Sequence, residues 1–261
     1  MKIKEVIQFL ETKYPLAWQE DFDNCGLQCG NAEQEIKGVL VCFEMSDYTI
    51  EEALKMGANM VISHHPLMLK NGIRQVAPVN RVGRIICKAL ENRMVLYAMH
   101  TNMDSAPTGV NTFFAQKLNL QNVSVLAPNP ANLEIGLGRV GDLVEPMEAL
   151  PFLAWVKKTM GVKVLKYFGD EDKKIRRVAV CGGGGSSFIR DAIAAGADAY
   201  ISGDIKYHDF HVADHRMIIA DLGHLETEHF VKEIIYNELK ENFTNFAVHF
   251  CEKEMMQIKV L

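Results

Sequence analysis

An internal repeat is the feature that most limits what this sequence can fold into. Residues 39–65 align without a gap with residues 178–204, and nine of the 27 aligned positions are identical. In each copy a short apolar run precedes a stretch with helical periodicity, a glycine and a second apolar run. That order is typical of a strand, a helix that ends at the glycine, and another strand. The sequence therefore predicts a βαβ unit that occurs twice.

The ungapped alignment favours duplication over a chance likeness between two unrelated βαβ units. Such units imply parallel strands joined by right-handed crossovers. We therefore predict an α/β fold of two pseudo-symmetric lobes with mixed or parallel sheets. The predicted lobes are 1–125 and 176–261, which together form one compact unit; residues 126–175, rich in proline and glycine, are predicted to connect them with a strand and a helix.

Each repeat is followed by another predicted strand. Just after the end of that strand, a histidine and a carboxylate stand four residues apart. These pairs are His100 with Asp104 and His224 with Glu228. Residues i and i+4 share one face of a helix, so His224 and Glu228 can reach one ion together. Open α/β sheets bind ligands at the carboxyl ends of their strands, which is where these residues fall.

A pair of adjacent histidines, His64 and His65, stands at the end of the second strand of the first repeat. Neighbouring residues of a strand point to opposite faces, which would separate the two rings. Pro66 favours a turn at this point and would let both imidazoles point into one cavity. Imidazole is the commonest protein ligand for borderline cations.

Taken together, these residues predict a metal centre in a cleft shared by the two lobes. The candidate ligands are His64, His65, Asp104, His224 and Glu228. Three imidazoles and two carboxylates exceed the needs of one tetrahedral ion but suit two ions bridged by a carboxylate. With nitrogen and oxygen donors, the ions could be Fe, Zn, Mn, Co or Ni. The alternative is a scatter of polar surface residues.

Further histidines are weaker candidates. His208, His211 and His215 have helical i, i+3, i+7 spacing and could form a metal-binding face of their own. We favour His208, close to a strand end, as a group on the substrate side, and the other two as solvated helix residues. His100 shares a turn with Asp104 and is a candidate to orient a ligand or to move a proton.

A glycine run, Gly182 to Gly185, joins a predicted strand to a helix. Such a turn can present backbone N–H groups to an anion. It lacks the Gly-Lys-Ser or Gly-Lys-Thr of a P-loop, and Ser187 stands where a dinucleotide fingerprint needs its third glycine. Close approach of the backbone to neighbouring groups is an equally good explanation, and both remain open.

Composition limits the class of protein. The net charge of -5 argues against general nucleic-acid binding, which depends on an excess of Lys and Arg. The sequence has no apolar run long enough to span a membrane and no signal peptide at its start. Six dispersed cysteines fit free thiols in a reducing compartment, and we interpret Cys25 and Cys29 as small buried residues. A cytoplasmic protein is expected.

Five motifs together resemble the Nif3-like dinuclear metal proteins, a family often labelled GTP cyclohydrolase 1 type 2. They are Asp23-Asn-Cys-Gly-Leu-Gln28, Ser63-His-His-Pro66, His100-Thr-Asn-Met-Asp104, Gly203-Asp-Ile-Lys-Tyr-His208 and Gly223-His-Leu-Glu-Thr-Glu228. The resemblance runs through nearly the whole chain in the same order. It is to the short form of the family, without an extra central domain.

The resemblance implies a duplicated α/β fold, a two-metal site and a ring-shaped homohexamer built from dimers. His65 and Asp104 would then serve one ion, His64 and His224 the other, and Glu228 would bridge them. One departure is Glu44, where the family usually has an aspartate after the first strand of the repeat. It puts in doubt the geometry around the ligands more than metal binding itself.

The family label implies a hydrolase that opens the imidazole ring of GTP and releases formate. In that reaction His208 or His100 would move protons, and the glycine run or Arg139 could hold phosphate. Two alternatives remain: another metal-dependent hydrolase, such as a phosphoesterase, and a non-enzymatic metal-binding scaffold or regulatory protein.

Overall fold

The computed structural model describes residues 1–70, 72, 75–252 and 258. These residues form two compact units. Unit 1 consists of Met1–Met103 with Phe230–Ile258, and unit 2 begins at Asp104 and ends at His229. Both the first residues of the chain and the described residues from Phe230 onward therefore contribute to unit 1.

The helices and strands alternate along most of the chain. The helices are α1 (Ile3–Lys13), α2 (Asp47–Lys55), α3 (Arg81–Glu91), α4 (Thr101–Asp104), α5 (Val110–Lys117), α6 (Ala149–Thr159), α7 (Ile189–Ala194), α8 (Tyr207–Phe210), α9 (His224–Glu228) and α10 (Val231–Asn242). The strands are β1 (Gly26–Cys29), β2 (Gly38–Cys42), β3 (Met60–Ser63), β4 (Val95–Ala98), β5 (Gln121–Asn129), β6 (Asn132–Glu148), β7 (Lys166–Phe168), β8 (Lys174–Gly184), β9 (Ala199–Gly203), β10 (Ile218–Asp221) and β11 (Ala247–Phe250).

Unit 1 is built on a five-stranded sheet with the order β1-β4-β3-β2-β11. The four strands β4, β3, β2 and β11 are parallel, and β1 pairs antiparallel with β4 at one edge. Strands β2, β3 and β4 are buried along their whole length, as their uninterrupted apolar sequences predict for parallel strands. Helix α2 begins at a Ser46 cap whose hydroxyl accepts a hydrogen bond from the Thr49 amide at 3.2 Å.

Unit 2 is built on a six-stranded sheet with the order β5-β6-β8-β9-β10-β7. Its centre, β8-β9-β10, is parallel. Strand β7 closes one edge and the hairpin β5-β6 extends the other, all three with antiparallel pairing. A separate apolar cluster forms its core, with Tyr200, Ile189 and Ile219 among its most buried members.

The two copies of the repeat have the same backbone register. Val41 pairs with Ile62 in unit 1, and Val180 pairs with Ile201 in unit 2, so each residue of one pair is 139 positions from its counterpart. In each unit the next strand, β4 or β10, adds in parallel, and the strand that precedes the repeat, β1 or β7, adds antiparallel beyond it. The predicted fold class, a duplicated α/β architecture with mixed sheets, is confirmed.

The division of the chain differs from the predicted lobes at two places. Most of the predicted connecting segment, residues 126–175, lies in the second sheet, because β6 hydrogen-bonds directly to β8. The segment from Phe230 to the end of β11 belongs to unit 1 and not to the predicted second lobe, because β11 pairs with β2. Both differences come from strand pairing between distant parts of the sequence.

Within the residues that the structure describes, none of the helices combines the length and the apolar character needed to cross a membrane.

Equivalent core positions of the repeat should contribute similar stability. Ile62 and Ile201 occupy the same register and are fully buried. We expect Ile62→Ala and Ile201→Ala each to lower the free energy of unfolding by about 2–5 kcal/mol, because each leaves a cavity in a close-packed core. Urea denaturation followed by circular dichroism measures the change. Leu133→Ala, at a residue that is 69% exposed, is the control and should shift stability by less than about 0.5 kcal/mol.

Candidate metal centre

Unit 1 brings three histidine rings together at the carboxyl ends of β3 and β4. His64 and His65 follow β3 directly, and His100 follows β4. The ring centroids are 5.0 Å apart for His64 and His65, 5.2 Å for His64 and His100, and 5.1 Å for His65 and His100. One ring nitrogen from each lies within 4.8 Å of the other two. Three imidazoles at this spacing form a group that can share one ion.

The turn at the end of β3 allows both neighbouring rings to join this group. The amides of His64 and His65 still donate to the carbonyls of Cys42 and Phe43, each at 3.2 Å. The hydroxyl of Ser63 donates to the carbonyl of His65 at 2.6 Å and closes the turn. The expected separation of the two rings by strand alternation is thereby overcome.

All three imidazoles have Nδ1 next to an oxygen that can only accept a hydrogen bond. The distances are 2.8 Å from His64 Nδ1 to the Met99 carbonyl, 2.6 Å from His65 Nδ1 to Glu44 Oε1, and 2.8 Å from His100 Nδ1 to Asp23 Oδ2. His64 and His65 therefore carry a proton on Nδ1, and a neutral ring then has its lone pair on Nε2; His100 Nδ1 lies at ion-pair distance from Asp23. This arrangement is typical of histidines that ligate metal ions through Nε2.

The two carboxylates behind the rings are held in their ionised form. Burial raises the pKa of Asp23, but the contact with His100 and the hydrogen bond from the Thr101 hydroxyl outweigh it, so the pKa lies well below its usual range. Burial likewise opposes ionisation of Glu44, and the contacts with His65 and Arg81 lower its pKa overall. Negative charge next to Nδ1 makes the imidazole a stronger electron donor to a cation.

Asp23 was missed as a site residue by the sequence reasoning. It is the first residue of the motif Asp23–Gln28, and nothing in its sequence spacing connects it with His100. The structure buries its carboxylate and surrounds it with the backbone amides of Asn24, at 2.7 Å, and Thr101, at 3.0 Å. Glu44 was noted as a departure from the family pattern, and it is the hydrogen-bond partner of His65.

The thiols of unit 1 do not form a thiolate site. Burial and the nearby charge of Asp23 raise the pKa of Cys25 to about 12. Burial also raises the pKa of Cys29. Both side chains are therefore neutral thiols at pH 7. Cys25 is buried, as predicted, whereas Cys29 is only partly buried.

In unit 2 the predicted pair His224 and Glu228 lies on one face of α9. His224 Nε2 is 3.1 Å from Glu228 Oε2, and the Glu228 side chain is almost fully buried. His224 Nδ1 is 2.8 Å from Asp204 Oδ2, so this ring is held in the same way as the three rings of unit 1. The prediction that the i, i+4 spacing places both side chains together is confirmed by this geometry.

Asp104, the other predicted ligand of unit 2, is also buried. Its carbonyl accepts a hydrogen bond from the Asn111 side chain at 3.0 Å, and Asn111 in turn accepts from the Gly182 amide at 2.8 Å. Burial raises the pKa of the Cys181 thiol strongly, and the charges of Asp104 and Glu228 raise it further. Both carboxylates therefore act on the same buried region beside β8, and Cys181 stays a neutral thiol there.

The glycine run makes room for Glu228. A Cβ atom on Gly183 would lie 2.2 Å from Glu228 Oε1, and one on Gly182 would lie 3.0 Å from Glu228 Cγ. The Gly183 amide donates to Thr227 Oγ1 at 2.9 Å, and the Gly185 amide donates to Ser202 Oγ at 3.0 Å. With the Gly182 amide bound to Asn111, these three N–H groups have protein partners, so the structure favours close approach over anion binding.

Arg139 does not offer its guanidinium group to a phosphate. The side chain is buried and donates to Thr112 Oγ1 and to the carbonyls of Ala106, Gly136 and Gly138, at 2.7–2.9 Å. Burial lowers its pKa to about 10, so the group remains a cation at pH 7. The suggestion that it holds phosphate is wrong, because its donors serve the surrounding backbone.

The histidines after β9 do not form a helical metal-binding face. Helix α8 ends at Phe210, a short 3₁₀ turn covers His211–Ala213, and Asp214 and His215 adopt left-handed conformations. The rings of His211 and His215 pack on Phe168, with centroids 4.7 and 5.0 Å away. His208 is exposed beside Tyr207, and no group of potential metal ligands found among the described residues includes it.

The sequence and fold match a known family. The sequence model of Duf34/NIF3 (NGG1p interacting factor 3) matches residues 1–257. A curated relative from Clostridium perfringens, named GTP cyclohydrolase 1 type 2 homolog, is 32% identical over 257 residues and 97% of each chain. A solved structure of a Staphylococcus aureus hypothetical protein has a TM-score of 0.90 at 27% identity and covers 100% of this chain and 99% of its own. A Bacillus cereus protein related to NIF3 has the same TM-score and coverage at 25% identity.

The packing of Glu228 against β8 predicts different outcomes at two neighbouring glycines. Gly183→Ala should lower the free energy of unfolding by at least about 1 kcal/mol, because a left-handed backbone and the Glu228 carboxylate both oppose a side chain there. Gly184→Ala is the matched control, since its Cβ would meet only Asp204 Oδ2 at 3.7 Å. Urea denaturation of both variants measures the difference, and equal stabilities would contradict the packing argument.

Proposed function

The chain belongs to the Duf34/NIF3 family, and on that basis we propose that it is a metal-dependent hydrolase that acts on a nucleotide like a GTP cyclohydrolase. The observation that carries the proposal is that four imidazoles make the same kind of contact through Nδ1. Each has Nδ1 within 2.8 Å of an acceptor oxygen, which leaves Nε2 as the ligating atom. The names of the curated relatives support the choice of reaction.

The proposed centre holds two divalent ions. The residues that would hold them are His64, His65, Asp104, His224 and Glu228. Neutral imidazoles and buried carboxylates suit borderline divalent cations, and the nearby thiols are too weakly acidic to compete. Fe, Zn, Mn, Co and Ni all accept such a donor set.

When bound, the two ions would supply Lewis-acid activation of water and substrate. The residues of the chain would supply orientation and proton transfer. His100 is the proposed general acid–base, because Asp23 lies 2.8 Å from its Nδ1 and one of its ring nitrogens lies within 4.8 Å of one from His64 and one from His65. The exposed His208 remains a prediction for a proton-transfer role near the surface.

Hydrolytic opening of the guanine imidazole ring consumes water twice. Attack at C8 breaks one C–N bond and opens the ring, and hydrolysis of the resulting formamide releases C8 as formate. Both steps need a base to take a proton from water and an acid to protonate the departing nitrogen. One positioned imidazole, such as His100, can perform both tasks in turn.

Metal content is the first test. The parent protein should hold about two metal equivalents per chain by elemental analysis, and His64→Ala and Glu228→Ala should each reduce this sharply, because each removes a ligand. His211→Ala is the control, since that exposed ring packs on Phe168. A parent protein that takes up no metal after reconstitution would rule out the centre and every hydrolytic mechanism based on it.

The reaction itself is tested by formate release. The fully metallated protein should release formate from GTP, and His100→Ala should reduce kcat by about 10²–10⁴-fold if its imidazole transfers the proton. Formate can be measured with a coupled dehydrogenase, and inorganic phosphate in parallel. Phosphate without formate would indicate a phosphoesterase, and neither product from a protein with two bound ions would favour a non-enzymatic scaffold.

A further inference from the structure

His100 and His224 are equivalent residues of the two repeats, and both rings are held by an aspartate. The distance from Nδ1 to the aspartate Oδ2 is 2.8 Å in each case. The aspartates, however, come from unrelated positions. Asp23 precedes β1, outside the repeat, whereas Asp204 follows β9 and aligns with His65 of the first copy. Two different parts of the sequence thus make the same contact.

We infer that Asp204 is a positioning residue for the metal centre: its carboxylate fixes the tautomer and orientation of His224 so that Nε2 is the ligating atom. This role rests on the proposed function, because it presumes that His224 ligates an ion. Asp204 aligns with His65. The first copy thus has a proposed metal ligand at this position, and the second copy has a residue that orients a proposed ligand.

The backbone brings the two side chains together. A Cβ atom on Gly203 would lie 2.7 Å from the carbonyl carbon of Gly223 and 2.8 Å from the Cα of His224. Only a glycine at 203 allows the end of β9 to touch the start of α9 so closely. The next residue of each segment is therefore placed beside the other, and these residues are Asp204 and His224.

Asp204 also has an unfavourable backbone conformation, with φ of 53°. Non-glycine residues rarely adopt positive φ, and such conformations concentrate at functional sites. The side chain is 63% exposed and so adds little to core packing. What the conformation provides is the direction of the carboxylate towards His224.

A nearby residue offers a matched control. Asp214 is also an exposed aspartate of unit 2 with a left-handed backbone, at φ of 47°. Replacement by glycine relieves the same backbone conformation at both positions and adds the same chain flexibility when the protein is unfolded. Asp204→Gly and Asp214→Gly should therefore have similar melting temperatures. Any other difference between the two variants then reports the role of the carboxylate that each has lost.

The test is zinc affinity in competition with a chromophoric chelator. We expect Asp204→Gly and Asp204→Asn to bind zinc about 10–100-fold more weakly than the parent, the usual effect of removing the partner of a ligating histidine. Asp214→Gly and Asp214→Asn should match the parent. Asparagine separates positioning from a structural role: it suits the left-handed backbone, but its amide can donate to Nδ1 and favour the opposite tautomer.

A second readout needs no metal. Long-range ¹H–¹⁵N spectra of the metal-free protein should show a proton on His224 Nδ1 in the parent and its loss in Asp204→Asn, where the proton is on Nε2, 3.1 Å from Glu228 Oε2. Unchanged zinc affinity with an unchanged tautomer would overturn the role of Asp204 and leave the dinuclear centre intact. A parent without zinc sites would remove the proposed function and, with it, the ligand that Asp204 is inferred to orient.

Discussion

The contact between each imidazole Nδ1 and a fixed oxygen is the interaction on which the candidate centre depends. A neutral histidine has one donor and one acceptor nitrogen, and nothing in the ring decides which is which. The oxygen next to Nδ1 favours one tautomer. That oxygen belongs to the Met99 carbonyl for His64, to Glu44 for His65, to Asp23 for His100 and to Asp204 for His224. Because all of these oxygens are acceptors, each favours a proton on Nδ1, which leaves Nε2 as the ligating atom of a neutral ring. Three strand ends, those of β3, β4 and β10, thereby acquire the same chemistry.

The duplication supplies one backbone twice, and the two copies use it differently. Position 44 of the first copy is a glutamate bound to His65, and the equivalent position 183 of the second is a glycine. The carboxylate of Glu228 approaches the place where a side chain of Gly183 would begin. In both copies a carboxylate thus lies beside the end of the first strand, but it comes from the bend after β2 in unit 1 and from α9 in unit 2. Because residue 183 is a glycine, the Glu228 carboxylate has room beside the strand in unit 2.

Local patterns in the sequence predicted the parts of this structure that depend on local contacts. The repeat register, the strand ends and the shared face of His224 and Glu228 all follow from spacing. The pairing of β11 with β2 and the contact of Asp23 with His100 join residues far apart in the chain, and periodicity carries no information about such partners. The interpretation of His211 and His215 as helix residues was wrong, because His211 begins a 3₁₀ turn and His215 takes a left-handed conformation, which helical spacing cannot reveal.

The charges around the donor groups also explain why cations suit them better than anions do. In unit 1 the ionised carboxylates of Asp23 and Glu44 lie behind rings that contribute no charge of their own when neutral. In unit 2 the buried cation Arg139 is bound to backbone carbonyls, and the amides of the glycine run at 182, 183 and 185 are already used. Neither group is available to neutralise a phosphate. Arg139 and these amides therefore do not offset the charge of a bound nucleotide, a task that the proposed ions would perform.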